Sequence, residues 1–589
     1  MSFEKIGLFA ASPATSRATA VHLSYDAKSD RVVYTSGKCV YIRSVSKPDE
    51  SIQFGGHNYP ATVAKFSPSG FYVASGDESG NVKVWDCVSE ELIVKGDYSI
   101  ISGRINDLAW DADSSRIIAV GDGRERYGHC FTADSGNTVG EISGHSAPIN
   151  AVSIRPCRPY RAVTVSDDAG MVFLQGPPFK FAQSVRGHHT NFVRDVRFSK
   201  DGNYAVSVGS DRLIVVYDGK TGDFVRKIEG VHSAGIFGVD WVDERSFITC
   251  SADGSIKLTS VDGNTSRTWQ LEQKLENQFV GCVKTNEYVL GLTLVGDLYY
   301  FADSSESPVK IVYGHQKSIT ALSPVVDGII YSGSYDGRVM KWDLATKTGD
   351  LVTGQTHSNL VVNIANTENN AVTVGWDDAI KHLDSGKLAT TTTLSKQPIQ
   401  ADFGAEFGAV ITDDELIVLD PQGREVAQHK LDYSPSSVAV SSAYIVVTNA
   451  VTFAINVYDK QFKLVGTTAP MRARPSVSKI SPNGEYLACG DVNGKIHCYR
   501  LADLSLVTTR WAFHTSRINS LSWNADNDHV VSGSLDTNII VYSVSKPAKN
   551  VKALNAHKEG VAGVSWIGEN ELVSGGADSC LKFWKVQLV

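Results

Sequence analysis

Histidine, serine and aspartate recur together along this 589-residue chain. The three types are the set that acyl-transfer catalysis uses as base, nucleophile and orienting acid. His188 stands before Asp211, His232 before Ser251 and Asp253, His315 before Ser334 and Asp336, His514 before Ser534 and Asp536, and His557 before Asp578. A hydrolase needs one such set meeting at one site, whereas here it returns in segment after segment. Repetition assigns these side chains to structure, each Asp fixing a turn and each His reaching it. Asp168 joins them, since it stands six residues before Leu174 as Asp211 does before Tyr217 and Asp336 before Trp342. His188, Asp211, Asp168, His315, Asp336, Asp536 and Asp578 are thus expected in turn networks, and no catalytic residue is expected.

Other chemistry finds no more support. The spaced glycines of Gly121-Asp-Gly-Arg-Glu-Arg-Tyr-Gly128 lack the Gly-Lys-Ser/Thr ending of a phosphate loop. Neither a His-Glu-x-x-His helix nor a Gly-x-Ser-x-Gly elbow occurs. Nine scattered cysteines form no Cys-x-x-Cys pair, so neither a metal site nor a redox motif is expected, and no cofactor. Most stand in apolar runs as small hydrophobes, which fits a reduced, cytoplasmic setting. A net charge of −8 argues against a nucleic-acid partner or an anionic membrane surface. With 42% hydrophobic and 20% charged residues and no 18-residue apolar run, the composition is that of a globular protein without a membrane span. The N-terminus lacks the basic and apolar regions of a signal peptide.

The elements that must position these residues are short strands. Segments of roughly 40 residues begin with Gly-His or a lone His, pass a strand ending in Ser-x-Asp, and reach a strand ending in Trp or Tyr. That period is the WD-type repeat, one four-stranded propeller blade. Fourteen units begin near Thr19, Pro60, Arg104, Pro148, Asn191, Gly235, Gln278, Ser318, Asn359, Gln397, Ser436, Pro475, Arg517 and Gly560. Rings usually hold 4–8 blades, so two rings of seven are expected: residues 13–313 and 314–589, an all-β fold of two tandem seven-bladed WD-repeat propellers. The stretches around 278–303, 397–420 and 436–459 lack most marks and rest on period alone. Thr19 to Tyr25 is expected as the first blade's innermost strand. The last unit ends after its third strand, and Phe3 to Phe9 has no blade of its own. Residues 1–12 are therefore expected to complete the last blade of the second ring, since an open edge would leave backbone groups unpaired.

Some segments are not demanded by blade architecture: Gly123-Arg-Glu-Arg-Tyr-Gly-His129, Gly176-Pro-Pro-Phe-Lys-Phe181, His189-Thr-Asn-Phe-Val193, Trp511-Ala-Phe-His-Thr515 and Ser67-Pro-Ser-Gly-Phe-Tyr-Val-Ala-Ser-Gly-Asp77. Together they resemble the actin-interacting protein 1 family across essentially the whole chain, most strongly over 56–201 and 511–584. Tyr127 departs from the Phe that the family often carries. The resemblance implies a monomeric, non-enzymatic protein of the cytoplasmic actin cytoskeleton. It would bind actin filaments and work with ADF/cofilin, promoting disassembly by aiding severing and by capping barbed ends. The competing expectation is a WD-repeat scaffold that recruits substrates to a ubiquitin ligase or signalling complex.

Loops between second and third strands, and those entering each blade, emerge on one face of a propeller. Glu125, flanked by Arg124 and Arg126, stands in such a loop, counted to the second blade. Asp167 is the surplus acid beside Asp168, in the blade counted third, and Phe192 enters the next on the same face. The resemblance implies that Glu125, Asp167 and Phe192 contact the actin–cofilin partner, and Phe181 with them. Phe181 follows a connection on the opposite rim, so core packing is its expected role. Tyr335 and Trp376, on equivalent turns of the second ring, are the next candidates.

Overall fold

Short runs of alternating Val, Ile and aromatic residues, broken by Gly and Asx turns, pair with their sequence neighbours as period-2 strands do. The computed structural model describes residues 2–367, 370–384 and 386–588. The described strands form fourteen sheets, antiparallel but for one added two-residue strand, seven to each of two β-propellers. Among the described residues the one helical element is the 3-10 turn Leu275–Asn277.

The first compact unit is Ser12–Gln316. Its blades span 24–54, 61–99, 105–141, 149–185, 193–228, 236–270 and 279–312, each four strands in sequence order. The second unit joins Met1–Ala11 to Lys317–Val589. Six of its blades lie within 319–553, one enlarged to five strands because Thr353–Gly354 runs parallel to Lys387–Thr393. In the seventh, the outer strand is Phe3–Phe9, antiparallel to Leu581–Val586. The three stretches that rested on period alone form ordinary sheets at 279–312, 400–430 and 435–467.

Both faces of each sheet are buried against neighbouring blades. Ile118, Val120 and Cys130 of the third blade pack with Val152, Val172 and Leu174 of the fourth, all 1% exposed or less. Burying each such side chain is worth about 1.5–3 kcal/mol. Most inner strands carry a β-bulge at their second residue, as at 105–107, 149–151 and 193–195. A bulged residue leaves the ladder and its side chain is re-aimed.

Two boundaries differ from the sequence expectation. Only Ser24–Asp26 of the first blade's inner segment is regular strand; upstream, Val21 N–H donates to Val280 O across the ring seam. The division between units falls after Gln316 rather than at Gly314. Ser12 N–H donates to His315 O at 2.9 Å and Gln316 Nε2 to Pro13 O at 2.6 Å, which ties that segment to the first unit.

Candidate partner-binding surface

The repeated His and Asp residues form closed relays. His57 Nδ1 lies 3.0 Å from Asp77 Oδ2, and its Nε2 lies 2.7 Å from Ser75 Oγ. Trp85 Nε1 donates to the same Ser75 Oγ at 3.1 Å. An ionised carboxylate only accepts, so Nδ1 carries the proton and Nε2 accepts from the serine. The serine is fully buried and its oxygen already bonded from both sides, so the relay ties turn, strand and loop together. His189, Asp211, Ser207 and Tyr217 repeat it, as do His557, Asp578, Ser574 and Trp584. The pairs His145–Asp168, His232–Asp253, His357–Asp377 and His514–Asp536 hold the same geometry.

Burial opposes the charge on Asp168 and Asp253. Bonds from His145, His232 and neighbouring backbone N–H groups outweigh it and hold both carboxyls far below the usual carboxylate range. Burial lowers the pKa of His357, His514 and His557, and their Asp partners only partly offset it.

Two sequence expectations differ from the structure here. The turn histidine of the fifth blade is His189, not His188, whose ring stacks on Phe224 at 3.8 Å. One residue shifts the side chain to the other side of the chain, and only the second reaches Asp211. Outside the second blade, where Ser75 of Ser75-Gly-Asp77 meets His57, the hydroxyl that meets histidine is a Ser or Thr of the second strand, as at Thr249 and Ser532, two residues before the Ser-x-Asp serine. Ser251 and Ser534 instead donate to Ala234 O and Ser516 O and cap the Asp turn. Asp336, though exposed, accepts from Ser334 Oγ at 2.6 Å in the turn, and His315 is buried.

In most blades the turn between second and third strands places one residue outward, its N–H held by the loop entering that blade. Asp167 N–H donates to Pro148 O, Ser210 N–H to Phe192 O, Tyr335 N–H to Ser318 O and Trp376 N–H to Leu360 O. In the second unit this position presents apolar groups: Tyr335 is 57% exposed, Trp376 38% and Leu535 52%. In the first it presents Glu78, Asp122 and Asp167 in three consecutive blades, followed by Ser210, Ala252 and Leu294.

Arg124, Glu125 and Arg126 are all exposed, in a loop of the third blade rather than the second. Asp167 and Phe192 likewise belong to the fourth and fifth blades. The unit starts Arg104, Pro148 and Asn191 already stand third, fourth and fifth among the fourteen; only the ordinals given to these loops were one short. Gly123 is required by this loop, since a Cβ there would lie 1.8 Å from Arg126 O. Arg126 Nη1 pairs with Glu141 at 2.8 Å. Asp167 is half-buried and accepts from Asn150 Nδ2 at 2.8 Å. Phe192 is 43% exposed, an aromatic beside charged groups, the usual character of an interface anchor.

Arg194, which sequence reasoning missed, joins them. Its guanidinium carbon lies 5.0 Å from the Phe192 ring centre, Nη1 is 3.8 Å from Asp167, and Nε donates to Ser210 Oγ at 2.8 Å. Phe192 immediately precedes the inner strand and Arg194 is its bulged residue, so Phe-x-Arg at a strand entry was the available signal. Phe181 departs from expectation. It is 48% exposed on the outer strand Lys180–Val185, with its ring against Gly144, because an outer strand has no further blade strand to cover it.

A second polar group, also missed, lies buried at the first ring's axis. Arg197 bridges Asp107 at 3.0 Å and Asp195 at 3.1 Å, and its Nη2 donates to His22 Nδ1 at 3.1 Å. His22 Nε2 therefore carries the proton and donates to Asn150 O. His22, Asp107 and Asp195 converge closely enough to ligate a cation, yet Arg197 already supplies the positive charge there.

Residues 49–86, 179–218, 222–260 and 306–343 match the family described as WD domain, G-beta repeat, and 478–569 match the anaphase-promoting complex subunit 4 WD40 domain. The chain is 40% identical over 597 residues to an uncharacterized WD repeat-containing protein of Schizosaccharomyces pombe, covering 100% of both. It is 34% identical over 605 residues to WD repeat-containing protein 1 of Xenopus tropicalis, again covering 100% of both. It is 33% identical over 602 residues to actin-interacting protein 1 of Drosophila melanogaster, covering 100% of this chain and 98% of the relative. With full-length kinship at this level and fourteen WD-type blades, the chain belongs to the actin-interacting protein 1 family.

Proposed function

We propose that this protein binds actin filaments and works with ADF/cofilin to disassemble them, aiding severing and capping barbed ends, without chemistry of its own. The observation that carries this reading is the full-length relationship to proteins named actin-interacting protein 1. The first ring offers a fitting surface in Glu125, Asp167 and Phe192, with Arg124 and Arg126 beside them. A rigid ring that binds a strained filament state better than a relaxed one shifts the equilibrium by that difference in affinity. The setting is the cytoplasmic actin cytoskeleton, and the protein acts as a monomer.

Co-sedimentation with actin filaments, with and without cofilin, tests the reading. Binding that rises with cofilin, and filament loss without nucleotide consumption by this protein, is the expected result. Absence of binding in both arms would leave the ligase or signalling scaffold as the better account. Replacing Glu125, Asp167 or Phe192 by Ala should reduce disassembly with little change in thermal stability. Normal disassembly by all three variants would move the search to Tyr335 and Trp376.

A further inference from the structure

The bulged second residue of the inner strand has a recurring task. Thr62 donates to Ile105 O, Asn106 to Ile149 O at 3.0 Å, and Asn150 to Val193 O at 2.8 Å. In the second ring Thr320 donates to Val361 O, Ser476 to Ile518 O and Asn519 to Val561 O, all within 2.7–2.8 Å. Each bond reaches the first inner-strand residue of the next blade, so the series forms a girdle linking neighbouring blades. Short side chains suit that reach.

Arg194 occupies the same bulged position, between Val193 and Asp195. Its side chain turns to Ser210, Asp167 and the face of Phe192 instead. Asp167 comes from the fourth blade and Phe192 enters the fifth, so the guanidinium spans the seam between them. Asn150 holds Asp167 from the other side at 2.8 Å. A polar cavity of about 180 Å³, lined among others by Arg104, Asn106, Asp122, Asn150, Asp167 and Arg194, opens at this point. Burial lowers the Arg194 pKa, and a partly desolvated cation attracts an aromatic face more strongly than a hydrated one.

We propose that Arg194 is the positioning residue of the partner-binding surface, fixing Phe192 and Asp167 as one unit across the blade seam. The inference rests on the filament-binding reading above. Only a planar fork can stack on the ring, donate to Ser210 through Nε and face Asp167 together; a lysine ammonium cannot. The consequence is specific: Asp167 and Phe192 contribute to binding jointly, and the coupling passes through Arg194.

The test uses the full chain and actin filaments decorated with ADF/cofilin, with binding read by co-sedimentation. Wild-type protein that does not bind would sink the filament reading itself. With wild-type binding in hand, Arg194→Lys should weaken binding about tenfold, the size of one desolvated cation–aromatic contact, while the thermal midpoint stays within about 2 °C. A double-mutant cycle of Asp167→Asn and Phe192→Leu should be non-additive in the wild-type background and additive in Arg194→Lys. Unchanged binding of Arg194→Lys overturns the proposal and leaves the filament reading standing. Coupling that persists without Arg194 overturns it too. So does a binding loss that tracks a fall in thermal midpoint of more than about 5 °C, which would mark Arg194 as a fold residue.

Discussion

The Phe9 ring lies flat on the indole of Trp342, with centroids 4.8 Å apart and planes 12° apart. The same strand hydrogen-bonds along Leu581–Val586, and Phe9 meets Phe583 edge-on at 4.9 Å. Residues 3–9 thus touch both the last blade of the second unit and its first. Leu8 and Phe9 are buried, and each is worth about 1.5–3 kcal/mol. Removing residues 1–11 should therefore weaken 317–589 by several such units and leave 12–316 intact. Limited proteolysis read by mass spectrometry checks this, and equal cleavage of the two segments would contradict it.

The relays make a sharper claim about serine. Ser574 Oγ lies 2.7 Å from His557 Nε2 and takes a 2.8 Å bond from Trp584, all three side chains buried. Ser574→Ala orphans two buried groups and should cost about 1–3 kcal/mol in denaturant unfolding. Ser534→Ala loses the bond to Ser516 O and the one accepted from Asp536 N–H, both at the part-buried turn, and should cost less, about 0.5–1.5 kcal/mol. The reverse order would mean that the Ser-x-Asp serine is the anchor after all.

Acid should destabilise the fold in two steps of the same sign. His357, His514 and His557 titrate below their ordinary 6.5 when folded, so the unfolded chain binds those protons first. Their contribution is complete above pH 6.5 and declines as pH falls from there. Asp168, Asp211, Asp253 and Asp536 titrate below their ordinary 3.8, so theirs holds above that value and is lost as pH falls through the folded pKa values. Calorimetry should show a lower thermal midpoint at pH 5.5 than at 7.5, and a further drop below pH 4. A midpoint that rises between 7.5 and 5.5 would refute the relay account.

Phe181 separates packing from recognition. At 48% exposure, Phe181→Ala should change stability by about 0.5 kcal/mol or less, as surface substitutions do. A core phenylalanine would cost about 3–5 kcal/mol. If disassembly falls while stability holds, Phe181 joins the contact surface. A loss in the core range would return it to the interior.

Period and turn chemistry carried the fold because every blade repeats them. Even unmarked blades such as 400–430 were legible from spacing, since Leu416, Ile417 and Leu419 still supply the buried strand. What spacing could not resolve was a one-residue choice. His188 and His189 are adjacent and chemically identical, and only the geometry of the loop entering the fifth blade selects the second. The same limit hid Arg194. A strand pattern marks it as a polar position, but its union with Asp167 depends on a neighbour 27 positions back and on the bulge that re-aims it. The axial trio of Asp107, Asp195 and Arg197 is spread over 90 positions and meets only when blades are set around a centre.

Pairing of Phe3–Phe9 with Leu581–Val586 has a consequence for how the chain is made. The first ring is complete in sequence by Gln316, so it can close while the rest is still being synthesised. The second ring cannot. The strand that completes it, Phe3–Phe9, is synthesised before every other strand of the ring and waits until Leu581–Val586 emerges. During that interval Ile6, Leu8 and Phe9 form an unpaired, partly apolar edge of the kind that aggregates or recruits chaperones. A strand made ahead of its whole ring is thus the last to find its place, and the order of synthesis decides which ring is finished first.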